Sequence, residues 1–474
     1  RKLYSISQLN KIKASNPTCN TGFCKAVKSK PETLNYKSKS QCTKCFLSHP
    51  PFSSHLIPKG DQSSIGDNTY SSCPYYEQVY KAINSNKVVM NFNSFIYQTS
   101  LTNRFNLPRD ILIIDEAHNI EQQVLDFVSI TINDDMLKEH GYYIPHFKSA
   151  AEYLRWFSEI NIDSILWNIR RLAELADDQD QADDIDKLVL KLDAFRKHIQ
   201  SEGAEWIVDY KEDVVGKDNR SVRSVSLKPV YAAGFVNEII FKYAKRVILL
   251  SATILDVDVL CKSLGMDRQE VAAYRMKNRF PKVNRPIYIK PAAKMVGGKD
   301  KMKEWLPKLV KAVEDIILKY PGKRGIIHTH NFAIMEAVSS STNRAVAKRI
   351  ITQREFPNKS DLLEYHSRQA DSVIVAPAMH EGVDLNGDLS RFQVICKVPY
   401  ANFYENPQLA RRVELDPKYY DWMTALKLIQ SYGRSIRSPE DYADTYIIDE
   451  AIINFLSKAK SMIPQWFSEA IVKS

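Results

Sequence analysis

Beyond residue 79 this chain is punctuated by apolar runs too short to be helices. Val88-Val89-Met90, Ile111 to Ile114, Val247 to Leu250, Gly325 to His328, Val373 to Val375, Phe392 to Ile395 and Tyr446 to Ile448 are such runs. Helix-period segments separate them. A strand that is apolar at nearly every position must be covered on both faces, which is the situation of a parallel strand between layers of helices. The chain is therefore expected to build doubly covered α/β sheets.

Two regions break that rhythm. Residues 1–78 are rich in Lys, Ser, Asn, Pro and Cys with little periodicity, so a metal or cluster is their natural staple. Residues 125–225 read as an antiparallel helical insertion. Trp156, Ile160, Leu166, Ile169 and Leu172, then Ile185, Leu188, Leu192 and Phe195, recur at spacings of three and four. The acidic run from Asp177 to Asp186 reads as a solvated helix end, since a calcium loop needs a bend Gly and a closing Glu. Further on, Leu306 to Tyr320 reads as an amphipathic helix stopped by Pro321-Gly322.

With 474 residues the chain has room for roughly two to four domains. Its 44% hydrophobic and 26% charged content suit a soluble globular protein. No run of about eighteen apolar residues is present, so no membrane partner is expected. The N-terminus lacks a signal-peptide core, and an intracellular, non-secreted protein is expected, cytoplasmic or nuclear. The formal charge of +10 suits a polyanionic partner. Cys19, Cys24, Cys42, Cys45 and Cys73 crowd the first 73 residues, and clustered thiols without a secretory signal point to metal rather than disulfides. By spacing alone, structural zinc is an open alternative. Cys261 and Cys396 read as buried thiols.

The chemistry concentrates at the ends of the apolar runs. Asp115-Glu116-Ala117-His118 follows Ile111 to Ile114 and delivers two carboxylates to a strand end. An Asp there can hold a nucleotide-bound magnesium, and the Glu beside it can orient or deprotonate a water. A similar stretch, Asp449-Glu450-Ala451, lacks the His and reads as a helix cap. Ser251-Ala252-Thr253 follows another run, as does His328-Thr329, whose donors suit a nucleic-acid phosphate. In Glu381-Gly382-Val383-Asp384 the Gly lets backbone approach a ligand. Gln430, Gly433, Arg434 and Arg437 are expected along one helix face, where two guanidiniums form a fork for a triphosphate.

In order and spacing these segments resemble superfamily 2 helicases. Three features narrow the resemblance to the XPD/DinG family of iron–sulfur DNA helicases. They are Cys73-Pro74-Tyr75-Tyr76, the insertion between the acidic motif and Ser-Ala-Thr, and Phe280-Pro281-Lys282-Val283-Asn284-Arg285-Pro286. The resemblance implies an α/β fold with two RecA-like parallel-sheet motor domains, an iron–sulfur domain and a helical arch. It assigns residues 1–78 to the iron–sulfur domain and 125–225 to the arch. Residues 79–124 with 226–275 fall to the first motor domain, and 276–474 to the second. It implies ATP, Mg2+ and a [4Fe–4S] cluster as cofactors, and DNA as partner, both single-stranded and as forked duplex. Translocation would run 5′ to 3′, in a pathway of repair, replication or viral function.

By the same resemblance Asp115 would hold magnesium and Glu116 would be the hydrolytic base. His118 would couple them to Ser251 and Thr253. Gln430, Arg434 and Arg437, with Gly433 beside them, would embrace the triphosphate. Gly382 and Asp384 would sit where nucleotide and DNA contacts meet, and Tyr75, Tyr76 and Lys81 where the duplex splits. The cluster would take four of the five N-terminal cysteines, Cys73 among them.

One departure is plain. The chain contains no Gly-x-x-x-x-Gly-Lys-Ser/Thr loop to cradle phosphates. With no Met at position 1, the chain is expected to be an N-terminally truncated ATPase, inactive as it stands. A non-catalytic nucleic-acid-binding protein with a helicase-like fold is the alternative.

Overall fold

The computed structural model describes residues 81–101, 108–176, 178–199, 205–215, 220–295, 299–341, 343–377, 379 and 384–472. All five N-terminal cysteines, with Tyr75, Tyr76 and Gly382, lie outside the described residues. The chain falls into two compact units. Among the described residues, one holds those up to Ile114 together with Asn119–Ile248, and the other holds Asp115–His118 with those from Leu249 onward.

In the first unit, strand β1 (Arg109–Ile114) is followed by the short β2 (Ile130–Asn133) and then three helices, α1 (Ala150–Glu159), α2 (Ile162–Leu175) and α3 (Gln179–His198). Ser149 opens α1 with a reciprocal cap: its Oγ accepts from Glu152 N–H, and the Glu152 carboxylate accepts from Ser149 N–H. Asp178 opens α3 by accepting from Gln181 N–H at 3.1 Å, so that part of the acidic run is a helix end as expected.

The insertion is more than helical. β3 (Trp206–Val215) and β4 (Arg220–Pro229) form a long antiparallel hairpin, and β2 adds to it in the order β2-β4-β3. Val225 and Leu227 alternate inward from β4 and pack with Ile130, Ile132, Tyr153, Phe157, Leu192 and Phe195. Helical spacing located the insertion's helices. The period-two stretch that follows them is the strand signal it passed over.

β5 (Ala244–Leu249) pairs with β1 in a two-stranded sheet. Burial on both faces was expected of these two strands, and it fails here. Ile111 is 52% exposed, Ile113 60% and Ile248 42%. A continuous apolar run shows that a strand needs covering on both faces, not that its neighbours supply the cover.

The second unit meets the expectation in full. Its strands are β6 (Ile287–Ala293), β7 (Gly325–His328), β8 (Ile350–Thr352), β9 (Val373–Ala376), β10 (Phe392–Ile395) and β11 (Asp444–Asp449), all parallel, in the order β6-β11-β10-β7-β9-β8. Every residue of β7, β9 and β10 is buried. From β7 the chain winds one way to β8 and β9, then crosses to β10 and β11. Such a switch opens a ligand crevice at the carboxyl ends of the strands.

Helix α4 (Lys299–Leu318) begins before Leu306 and holds Pro307 inside it. Its lysine-rich first turns carry too few apolar residues to show a period. Past its end Gly322 turns the chain at φ +69°, as Pro321-Gly322 foretold. After β10 come α5 (Pro407–Leu415) and α6 (Pro417–Tyr432).

Gly325 sets how closely β7 approaches β10. A Cβ there would lie 2.6 Å from the Phe392 ring and 2.8 Å from its carbonyl oxygen, and Tyr320 stacks on the same ring. Gly325→Ala is expected to destabilise by about 1–3 kcal/mol, read as a lowered unfolding midpoint in urea.

Candidate functional site

β1 ends at Ile114, and the next residues turn sharply. Asp115 Oδ1 accepts Glu116 N–H at 2.9 Å, and Glu116 takes φ +51°, a left-handed conformation uncommon for a residue with a side chain. Both carboxylates are exposed. Ala117 N–H then bonds to Leu250 O at 2.9 Å, drawing the turn against the segment that follows β5.

His118, two residues on, is buried. Its Nδ1 lies 2.8 Å from Ser251 Oγ and 3.4 Å from Glu116 Oε2. On the other side of the ring, the Gln430 side-chain amide donates to His118 Nε2. Gln430 also reaches Thr253 Oγ1 at 3.5 Å, and Thr253 N–H donates to Ser251 Oγ at 3.0 Å. A ring that accepts at Nε2 carries its proton on Nδ1 and donates toward Ser251. The acidic turn, Ser-Ala-Thr and the end of α6 thus share one buried hydrogen-bonded cluster.

The arginines are arranged differently from the helix-face expectation. α6 stops at Tyr432, Gly433 is its C-cap at φ −76°, and of the four polar positions only Gln430 lies on the helix. Beyond the cap, Ser435 is fully buried and hydrogen-bonded to Ser390 Oγ at 2.7 Å and Gln393 Oε1 at 3.2 Å. Side chains anchored into the sheet end the helix here, and helical spacing cannot register them. Arg434 and Arg437 flank this buried stretch. Arg434 Nε donates to Gln430 O at 3.2 Å, and Arg437 Nε pairs with Asp384 at 3.0 Å. Asp441 accepts from Arg437 N–H and Gly387 N–H and so fixes the loop, a role not read from the sequence.

His330 was also missed. It follows β7 at φ +52°, stacks near His328 with centroids 6.1 Å apart, and bonds Ser431 Oγ at 3.3 Å. Its signal was the His-Thr-His spacing after an apolar run. Thr329 itself is buried, with Oγ1 donating to Asn331 O.

Asp449 behaves as a cap. It is 1% exposed and accepts from Val398 N–H at 2.9 Å and Ala451 N–H at 3.0 Å, while burial raises its pKa above the usual carboxylate range. Cys261 and Cys396 are buried free thiols. Among the described residues no group of three or more His, Cys, Asp or Glu is spaced to hold a metal. A magnesium held by one or two carboxylates and substrate phosphates needs no such group. No helix among the described residues is long and apolar enough to cross a membrane.

Two family descriptions match in chain order: DEAD_2 over residues 4–137 and the helicase C-terminal domain over 313–470. A solved XPD helicase superposes on 82% of this chain and 74% of its own, at a TM-score of 0.51 and 15% identity. The chain belongs to the XPD/DinG-type superfamily 2 helicases. Its relatives in this family include the ATP-dependent DNA helicase CHL1 of Saccharomyces cerevisiae, 20% identical over 83% of this chain and 55% of that protein. The Kluyveromyces lactis CHL1 is 24% identical over 33% of this chain and 22% of its own. The chain thus spans about half or less of these relatives. The XPD-like likeness carries the fold: α/β units of the RecA-like motor kind.

The two acidic stretches should part in experiment. Asp449→Asn is expected to cost about 1–3 kcal/mol, because a backbone N–H that donated to the carboxylate then meets an amide NH2. Its raised folded pKa also means that parent stability falls as pH rises through that value, a component the Asn variant lacks. Asp115→Asn, at an exposed carboxylate, should leave stability within about 0.5 kcal/mol. Denaturant unfolding at several pH values reads all three.

Proposed function

We propose that the protein carrying this chain is an ATP-dependent DNA helicase. It couples hydrolysis to movement along single-stranded DNA, 5′ to 3′, and to opening of forked duplex. The single observation that carries this reading is the buried His118 cluster. It ties the exposed carboxylates of Asp115 and Glu116 to Ser251, Thr253 and Gln430. That is the wiring a motor needs to pass a change at a phosphate site on to another surface.

In this reading Asp115 holds magnesium, and its exposed hard oxygens suit that ion. Magnesium supplies neutralisation of phosphate charge when bound. Glu116, exposed at the strand end, orients and deprotonates the attacking water. Gln430 senses the state of the acidic turn through His118. Arg434 and Arg437 meet the γ-phosphoryl charge. Gly433 needs no special backbone freedom at φ −76°, so its lack of a side chain serves close approach of a ligand. Gly382 and Asp384 lie where nucleotide and DNA contacts meet.

The same reading assigns residues 1–78 to a [4Fe–4S] domain held by four among Cys19, Cys24, Cys42, Cys45 and Cys73, since such a cluster takes four thiolates. The arch is 125–225, and the motor domains are 79–124 with 226–275, and 276–474. Such a protein works inside the cell.

In the restored full-length protein, Glu116→Gln is expected to abolish DNA-stimulated ATP hydrolysis while leaving nucleotide binding intact, measured by phosphate release and by nucleotide titration. Undiminished hydrolysis by that variant would refute the assignment. Anaerobically purified protein should be brown with visible iron–sulfur absorbance, and colourless protein carrying stoichiometric zinc would remove the cluster.

A further inference from the structure

Between Val271 and Lys299 the sequence carries eight Lys and Arg and no Asp or Glu, against a formal surplus of +10 for the whole chain. Solvated surfaces usually intersperse both signs, so an acid-free block creates a local field of its own. Within it, Val271 to Arg279 forms neither helix nor strand, and every residue from Ala272 to Arg279 is exposed. Tyr274 is 89% exposed and Met276 68%.

The stretch is tethered at both ends. Arg275 donates to Leu255 O at 2.9 Å. Arg285 is buried, donates to Phe280 O at 3.0 Å and pairs with Glu469 at 2.7 Å. Between these tethers Lys277, Arg279 and Lys282 have no carboxylate partner among the described residues. The cations nearest Tyr274 recur at every second position. Along a fully extended chain that spaces them roughly 6.6 Å apart. Two rises of a stacked strand, at about 3.4 Å per phosphate, cover nearly the same distance.

We propose that Ala272–Lys282 is a landing strip for single-stranded nucleic acid, with Lys277, Arg279 and Lys282 on phosphates and Tyr274 stacked on a base. This rests on the helicase reading and gives it a specific strand-contacting surface. The chemistry favours a single strand over a duplex. An exposed ring can stack only on a base that is not already stacked inside a helix, whereas the cations alone would accept either.

The test is binding of a fluorescently labelled oligo-dT strand, followed by anisotropy across a salt series. The proteins are the parent, the triple variant K277Q/R279Q/K282Q, Tyr274→Ala and Tyr274→Phe. The triple variant should flatten the plot of log affinity against log salt by about 2, at roughly 0.7 per phosphate lost. Tyr274→Ala should weaken binding about fivefold to a hundredfold with the parent's slope, and Tyr274→Phe should restore it. All variants should keep the parent's unfolding midpoint, because the replaced side chains are exposed. A triple variant with the parental slope, or a Tyr274→Ala protein with parental affinity, overturns this inference alone. A parent that binds no strand at the lowest salt overturns it together with the proposed DNA function.

Discussion

The arrangement at the strand ends depends on one buried imidazole. His118 has a different partner on each ring nitrogen, Ser251 at Nδ1 and the Gln430 amide at Nε2. A neutral ring can satisfy both only with its proton on Nδ1. That fixes which way the Gln430 amide faces, and Gln430 lies in the last turn of α6, just before the arginine stretch begins. Sequence positions more than three hundred residues apart are thus set by a single proton's placement. A buried polar cluster of this kind is costly if half satisfied, so its members move together or not at all.

The same neighbourhood stores backbone strain. Glu116, Leu255 and His330 take left-handed φ values of 51°, 60° and 52°. Glu116 and His330 lie two residues past β1 and β7, and Leu255 lies in the loop after β5. Non-glycine residues held this way cost on the order of 1–3 kcal/mol each and persist only where surroundings over-determine them. Here the surroundings are identifiable. Asp115 Oδ1 holds Glu116 N–H, the Arg275 guanidinium holds Leu255 O, and Ser431 holds the His330 ring.

Much of this was legible before any coordinates. Apolar runs such as Ile374-Val375 and Val394-Ile395 named the central strands because a strand covered on both faces has no polar side to show. The carboxylates at 115 and 116, with His118, were legible because strand ends position side chains with few alternatives. Asp449 was separable from Asp115 by the missing His and by its place after the arginine stretch, and its burial now gives the physical distinction. What the sequence hid was of two kinds. Gly433 to Arg437 read as helix because spacing registers local periodicity, whereas Ser435 is held by Ser390 and Gln393, more than forty residues away in sequence. β1 and β5 read as covered because their composition records a need for burial, yet Ile111, Ile113 and Ile248 are exposed.

The arginine stretch can be weighed on its own terms. Arg437 pairs with Asp384, but its side chain is 39% exposed and that of its partner 63%. Exposed pairs of this kind are worth roughly 0–1 kcal/mol. A bidentate phosphate contact is stronger, because a guanidinium fork meets more charge and gives up little preorganisation. The Asp384 carboxylate therefore adds little to stability through Arg437. Arg434, bonded through Nε to the Gln430 carbonyl, is held by backbone instead, and its position is tied to the residue whose side chain touches His118.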